Sequence, residues 1–208
     1  QVQGVRGMSV FEAGLCIIPM GIAWPFASGL SARILSKIGF RRLLRIGLGC
    51  VLTGTSITAA TTIIDGPFPL ILVGMAMLGA GMGFSNIPLL FSVQNSVAWN
   101  RRGSATASTL FFRTMGGTVA VGVMGGILAK ALAKDPSLPI TAANELIGPA
   151  HGRNLSIEVL HQLAFVLNWG LDRIFFYSAA LAAAALVFGL FFPDIGKEIQ
   201  PNEEVESL

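Results

Sequence analysis

The chain has 208 residues, of which 53% are hydrophobic and only 12% are charged, and its formal net charge is +3. Soluble domains carry about 25% charged residues, so this chain has too few charges for a fully water-exposed surface, in line with its mean hydropathy of +0.70. The small positive charge, without a patch of basic and aromatic residues, argues against a nucleic-acid-binding protein. We therefore expect an all-α integral membrane protein.

Five apolar stretches of about 20 residues are long enough to cross a hydrocarbon core of about 30 Å. We predict transmembrane helices at residues 9–30, 43–64, 68–91, 104–129 and 174–192. The turn-forming segment "DGPFP" separates the second and third spans, and Pro193 follows the last one. Residues 130–173 are predicted to form an outer loop and an interfacial helix, so that residues 1–192 make one membrane region. Residues 193–208 are predicted to be a flexible cytoplasmic tail.

The distribution of basic residues predicts the orientation of the spans. The link "SARILSKIGFRR" carries four basic residues and no acidic one, and "AWNRRG" carries two: Arg33, Lys37, Arg41, Arg42, Arg101 and Arg102. Because loops rich in Lys and Arg stay in the cytoplasm, both links and the C-terminus are placed there. The expected location is the cell inner (plasma) membrane, with the lipid bilayer as a partner.

Glycines spaced four apart occur on the third and fourth spans. The third contains Gly79 and Gly83 in "GMAMLGAGMGF", and the fourth contains Gly122 and Gly126 in "GGTVAVGVMGG". Small residues at this spacing let two helices approach closely in a membrane. We predict that the third and fourth spans pack tightly through these glycines. The stretch "GAGMGF" is not interpreted as a dinucleotide-binding loop, because it follows no strand and lies within a span.

Three polar residues inside the spans are candidates for a substrate pathway. Arg113, in "TLFFRTMGG", lies about ten residues into the fourth span, roughly 15 Å from its end, which is too deep for exposure to lipid. Asn86 lies at a similar depth in the third span, and Gln94 lies nearer its cytoplasmic end. One interpretation is that all three line a water-accessible pathway. The other is that Arg113 only ties its helix to carbonyl groups of a neighbour.

Catalytic and metal-binding chemistry is not indicated by the sequence. Cys16 and Cys50 stand alone in apolar stretches, without His or Cys partners at metal-ligand spacing, and are expected to be buried thiols. His151 and His161 fall in the outer link and are expected at the surface. No span combines a nucleophile with a base and a third group, so we expect neither an enzyme nor a metal site.

Three quoted stretches resemble parts of the major facilitator superfamily, specifically its 14-helix drug:proton antiporters of the EmrB/QacA type. These are "SVQNSVAWNRRGSATASTLFFRTMGGTVAVGVMGGIL", "GMSVFEAGLCIIPMG" and "ARILSKIGFRRLL". The third is similar to the second copy of the superfamily's cytoplasmic loop motif, usually written G-x-L-a-D-r-x-G-r-R. Lys37, Gly39 and Arg41 match that motif, whereas Ala32 replaces its leading glycine and Ser36 its aspartate.

The resemblance implies that the five spans are helices ten to fourteen, at the end of the C-terminal half of a major facilitator fold. It further implies export of drugs or other small amphipathic molecules by alternating access and proton antiport, with a proton gradient and no other cofactor. The implied partners are a small-molecule substrate and the missing N-terminal helices. Glu12 is the only acidic residue near the membrane-buried part of the first four spans, and it lies near the outer end of the first span. We therefore expect the proton-carrying acid in the missing helices. Two alternatives stay open: a transporter of another small metabolite, and a non-transporting truncated fragment or assembly partner.

Overall fold

A computed structural model describes residues 10–64, 66–132 and 157–192. In chain order its elements are α1 (Val10–Leu15), α2 (Ile18–Ile38), α3 (Phe40–Ile63), α4 (Phe68–Asn95), a 3₁₀ turn (Trp99–Arg101), α5 (Arg102–Leu132) and α6 (Ile157–Leu190). All regular elements in these ranges are helices, which confirms the predicted all-α fold. Four segments are long and apolar enough to cross a membrane: Phe40–Ile63, Phe68–Asn95, Trp99–Lys130 and Asn168–Leu190.

The first predicted span differs from the observed helices. Residues 9–30 do not form one helix, because α1 ends at Leu15 and α2 begins three residues later. Pro19 explains the break, since it has no N–H to donate and its ring clashes with the carbonyl group four residues earlier, which is that of Leu15. With 21 residues, α2 is long enough to cross the membrane. Its second half carries Arg33 and Lys37, however, and it is not among the four apolar segments in the described part of the chain.

The predicted cytoplasmic link between the first two spans is not a loop. The helix α2 continues to Ile38 and α3 begins at Phe40, so Gly39 alone joins them. Gly39 has φ of 84°, a conformation that glycine adopts readily because it has no Cβ. The basic residues of this link therefore lie on helices, with Lys37 at the end of α2 and Arg41 at the start of α3.

The helix α4 lies at the centre of the bundle and makes its most extensive contacts with α3 and α2. On the side facing α3, a Cβ atom added to Gly81 would lie 2.6 Å from the backbone nitrogen of Val51 and 2.7 Å from the carbonyl oxygen of Gly47. One added to Gly54 would lie 2.8 Å from the carbonyl oxygen of Gly74. These four glycines allow the two backbones to touch. In a membrane the hydrophobic effect does not drive helices together, so close packing of this kind stabilises a helix pair.

The predicted glycine packing between the third and fourth spans is wrong within the described residues. Gly79 and Gly83 contact α2 instead: a Cβ added to Gly79 would meet the backbone of Met20, and one added to Gly83 would lie 2.7 Å from the carbonyl oxygen of Trp24. Around Gly122 and Gly126, no described atom of another helix lies within 4 Å of an added Cβ. The helix α5 lies at the edge of the bundle, where none of its most apolar stretch is buried. A glycine pattern marks a face for close packing, but it does not specify the partner helix.

Six basic residues gather at one end of the bundle, which we call the basic end: Lys37, Arg41, Arg42, Arg45, Arg101 and Arg102. The contacts of Gly47 with Ser85 and of Gly54 with Leu78 show that α3 and α4 run in opposite directions. The start of α3 and the end of α4 therefore share one end of the bundle. Both basic links lie on the same side, as predicted, and the placement of that side in the cytoplasm stays a prediction.

The interfacial helix and the last span, predicted as separate helices, form one continuous helix. The helix α6 has 34 residues and is about 51 Å long, which exceeds a hydrocarbon core of about 30 Å. Its apolar part is Asn168–Leu190. Residues 133–156, in the predicted outer loop, and the predicted tail at 193–208 lie outside the described residues.

Candidate functional site

Three helices contribute to a cluster around Arg113, which lies about three turns into α5. Its Nη1 atom donates a hydrogen bond to the Oδ1 atom of Asn86 on α4, at 3.0 Å. Its guanidinium carbon lies 5.7 Å from the centre of the Trp24 indole ring on α2, within the range of a cation–π interaction. We call these three residues the arginine cluster.

The positive charge in this cluster is only partly covered. Asn86 and Trp24 are half-buried, whereas Arg113 is exposed. Both partners are neutral, and Arg113 forms no ion pair with any residue in the described ranges. A cation at this depth in a membrane is costly and is found where it faces a cavity or another part of the protein. The cluster therefore presents an uncompensated charge on the open side of the bundle.

A proline lies next to the cluster on α4. Pro88 is fully buried and has no N–H, so the carbonyl group of Phe84 loses its usual partner within the helix. Such interruptions occur in transporters where helices line a cavity. The backbone of α4 is therefore weakened within one turn of Asn86.

The structure separates the three predicted pathway residues into two places. Arg113 and Asn86 come together as described above. Gln94 lies closer to the basic end, where its Nε2 atom donates a hydrogen bond to the Oγ1 atom of Thr106 at 3.1 Å. Thr106 precedes Arg113 by seven residues, about two turns or 10 Å along α5. Gln94 therefore does not belong to the arginine cluster.

The two interpretations of Arg113 describe opposite sides of the same side chain. One side ties α5 to α4 through Asn86, which is a side-chain amide and not the backbone carbonyl that the tying interpretation assumed. The other side is exposed, as the pathway interpretation requires. The sequence did not predict the contact of Trp24 with Arg113, because an aromatic residue within an apolar helix does not indicate which residue it contacts.

Beside Gln94 lies a cavity of about 630 Å³, which we call the α4–α5 groove. Its walls include Gln94, Trp99, Arg102, Thr106 and Leu110. The guanidinium carbon of Arg102 lies 4.9 Å from the centre of the Trp99 ring. The Nε atom of Arg102 is buried and has no hydrogen-bond partner among the described residues. From the sequence, Arg102 was used only to predict the orientation of the spans. Its position three residues after Trp99 could have suggested that the two side chains pair.

The residues of the loop motif take separate places. Lys37 is exposed near the end of α2, and Gly39 forms the turn. Arg41 donates a hydrogen bond to the carbonyl oxygen of Leu190 at 3.1 Å, and Arg45 donates to the same oxygen at 2.6 Å. Leu190 is the last residue of α6, so two cations bind the carbonyl end of that helix, where its dipole favours positive charge. The sequence did not indicate that Arg45 shares this role.

The two cysteines lie apart from both polar sites, Cys16 being buried and Cys50 half-buried. Among the residues that the structure describes, no group of three or more His, Cys, Asp or Glu side chains could hold a metal ion. His151 lies outside these residues.

Several curated proteins with similar sequences are named as transporters or efflux pumps. The chain is 32% identical to the drug efflux pump JefA of Mycobacterium tuberculosis over 158 residues, which cover 76% of this chain and 30% of JefA. It is 29% identical to the multidrug transporter protein MdtP of Bacillus subtilis, over 61% of this chain and 23% of MdtP. It is 25% identical to the MFS-type transporter clz4 of Cochliobolus lunatus, over 99% of this chain and 37% of clz4.

The chain thus spans less than two fifths of the length of each of these relatives. No solved structure matches it significantly. The sequence profile of the Major Facilitator Superfamily matches residues 1–121, which is more than half of the chain and includes the whole arginine cluster. Together with the apolar helices, this match makes the chain a multi-pass membrane protein and confirms the predicted superfamily. The chain belongs to the Major Facilitator Superfamily.

Proposed function

We propose that the chain is part of a secondary active transporter that exports drugs or other small amphipathic molecules by alternating access. The observation that carries the proposal is the arginine cluster, in which Arg113 is bound on one side by Asn86 and Trp24 and exposed on the other. A charged side chain held in the middle of a membrane by residues from three helices is typical of a substrate or ion pathway.

Drugs are proposed as substrates because JefA and MdtP are named as a drug efflux pump and a multidrug transporter. The name of clz4 specifies no substrate, although that relative aligns with almost the whole chain. Membership of a superfamily does not by itself define what is carried. A transporter of another small metabolite is therefore the second candidate.

Proton antiport is a more specific proposal than drug export and rests on the resemblance to the drug:proton antiporters. A proton-coupled mechanism needs a group that gains and loses a proton on alternate sides of the membrane. Arg113 cannot do this, because a guanidinium group stays protonated in proteins. We propose that the proton-carrying acid lies in other helices of the complete transporter, which is inserted in the inner (plasma) membrane with its C-terminus in the cytoplasm.

The proposal is tested by drug efflux from cells that express the complete protein with Arg113→Ala. We expect efflux to fall by about tenfold or more, since a charge-assisted contact contributes about 1.5–3 kcal/mol. The amount of protein in the membrane is expected to stay the same, because the side chain is exposed and its removal leaves no buried cavity.

Lys130→Ala is the matched control, since Lys130 is an exposed cation at the other end of the same helix. We expect normal efflux from this variant. Normal efflux by Arg113→Ala would reduce Arg113 to a packing residue and remove the main support for the pathway. If neither the wild-type protein nor the variants export any compound in a drug panel, drug export itself is contradicted.

A further inference from the structure

We propose that the α4–α5 groove binds the phosphate group of an anionic phospholipid. The groove lies where the candidate span Trp99–Lys130 begins, so it is at a membrane surface in either orientation of the protein. Trp99, at its mouth, is 81% exposed. Tryptophan side chains prefer the headgroup level of a bilayer, where the ring contacts both lipid and water. The position of the groove thus corresponds to the depth of lipid phosphates.

The chemistry of the groove favours an anion with several oxygen atoms. The Nε atom of Arg102 is buried without a hydrogen-bond partner in the described structure. Because this atom is buried, an incoming phosphate would bind the two terminal nitrogens of the guanidinium group, which can donate side by side to its oxygen atoms. The cation–π contact with Trp99, at 4.9 Å from the guanidinium carbon to the ring centre, restrains the side chain without consuming these donors. The phosphate would therefore complete a donor set that the protein leaves unfilled.

The remaining walls are polar near Arg102 and apolar further in. Gln94 and Thr106 form one wall, and no carboxylate is among the described residues that line the groove, so nothing there repels an anion. Ala107 and Leu110 continue along α5 toward the middle of the membrane, and the Leu110 side chain is 52% exposed. An acyl chain attached to the phosphate would lie along this apolar strip. A soluble phosphate would leave the strip empty, which is why we assign the groove to a lipid.

This site is separate from the proposed substrate pathway. The arginine cluster shares no residue with the groove, and Arg113 lies about one turn beyond Leu110, at the inner end of the groove, and about three turns beyond Arg102. The inference does not depend on what the transporter carries, and a failure of the efflux proposal would leave it intact.

The test is native mass spectrometry of the purified complete protein, titrated with phosphatidylglycerol or with phosphatidylcholine of the same acyl chains. Arg102→Gln is compared with Arg101→Gln, because Arg101 is an exposed neighbour of equal charge that does not line the groove. We expect Arg102→Gln to weaken phosphatidylglycerol binding by about tenfold, as the loss of a charge-assisted contact implies. We expect Arg101→Gln to change phosphatidylglycerol binding by less than about twofold. We expect phosphatidylcholine binding to change by less than about twofold in either variant.

A second variant tests the groove without changing charge. Ala107→Leu would fill the apolar strip, and we expect it to weaken phosphatidylglycerol binding while leaving the protein folded. Equal losses in Arg101→Gln and Arg102→Gln would show a diffuse charge effect and overturn the site. Displacement of the lipid by an equal concentration of glycerol phosphate would overturn its assignment to a lipid.

Discussion

At the scale of single residues, Arg113 differs from a membrane arginine in an ion pair because its two partners are neutral. The Asn86 amide oxygen accepts one hydrogen bond at 3.0 Å, and the Trp24 ring contributes a cation–π contact. Such contacts position the guanidinium group without cancelling its charge. If the charge is what acts on a substrate, a neutral partner is needed.

This reasoning predicts the effect of Asn86→Asp in the complete protein. A carboxylate at this position would lie within ion-pair distance of Arg113 and neutralise it. We expect efflux to fall several-fold, while resistance to thermal unfolding in detergent is unchanged or higher, because the tie between α4 and α5 becomes stronger. Efflux rates and unfolding midpoints of the same preparation are the measurements.

Asn86→Ala serves as the comparison, since it removes the acceptor without adding charge. We expect it to lower stability by about 1.5–3 kcal/mol, the contribution of a hydrogen bond to a charged group. Wild-type efflux by Asn86→Asp would show that the free charge of Arg113 is not used.

At the scale of helices, α4 owes its central place to glycines on two faces. Gly74 and Gly81 face α3, and Gly79 and Gly83 face α2. A helix with a single glycine face could approach only one neighbour this closely. The same four-residue spacing has no such consequence on α5, which lies at the edge of the bundle.

We predict that Gly81→Ala destabilises the protein and that Gly122→Ala does not. The added methyl group at Gly81 would lie 2.6 Å from a backbone atom of α3, and a backbone atom cannot rotate away as a side chain can. Overpacking of this kind costs about 1–3 kcal/mol. At Gly122 the methyl group would have no described neighbour within 4 Å, and its helix gains up to about 1 kcal/mol from alanine.

Unfolding of both variants in detergent, followed by circular dichroism, would measure the difference. Equal stability of the two variants would contradict the close contact of α3 with α4. A large loss of stability in Gly122→Ala would instead show that a part of the protein outside the described residues packs against α5.

The contact of Arg41 and Arg45 with the end of α6 gives part of the loop motif a structural role. Each cation near a helix C-terminus contributes about 0.3–1 kcal/mol. Ala32 and Ser36, which depart from the motif, precede Gly39, whereas both arginines follow it. The departures therefore leave this contact with α6 intact.

At the scale of the whole molecule, the helix directions bring all residues of the basic end to one membrane surface. The positive-inside rule predicts that this surface is cytoplasmic. We test this with single-cysteine variants made after replacement of Cys16 and Cys50 by serine. Arg42→Cys is expected to react with a membrane-impermeant maleimide only after the cells are permeabilised.

Ile64→Cys, at the opposite end of α3, is expected to react in intact cells, since Ile64 is 68% exposed. The reverse labelling pattern would invert the whole topology, because the helix directions are coupled through the packing of α3 against α4. Labelling at both ends in intact cells would contradict a spanning helix.

The exposed side of Arg113 and the peripheral position of α5 also bear on the whole molecule. The chain spans 30% of the length of JefA, and a pathway between two halves needs helices on both sides. If the chain is part of a larger transporter, as proposed above, we expect its other helices to face the arginine cluster.

The sequence by itself determined the class of protein, the existence of the long apolar helices and the depth of Arg113 and Asn86. These properties depend on composition and on distance along the chain, and both can be read from the sequence. The superfamily could also be predicted, because its motifs are contiguous stretches. The break before Pro19 involves only the five residues from Leu15 to Pro19, but Pro25 and Pro88 lie inside continuous helices, so a proline by itself does not predict where a helix ends.

Only the tertiary structure decided which helices touch and which side chains meet. Gly79 and Gly83 pack on α2 and not on α5, Gln94 pairs with Thr106, and Trp24 joins Arg113 across about 90 residues of sequence. In a membrane all helices present similar apolar surfaces, so the hydrophobic pattern does not select a partner. Selection depends on how the shapes of whole helices fit together, and that fit is a property of the assembled bundle.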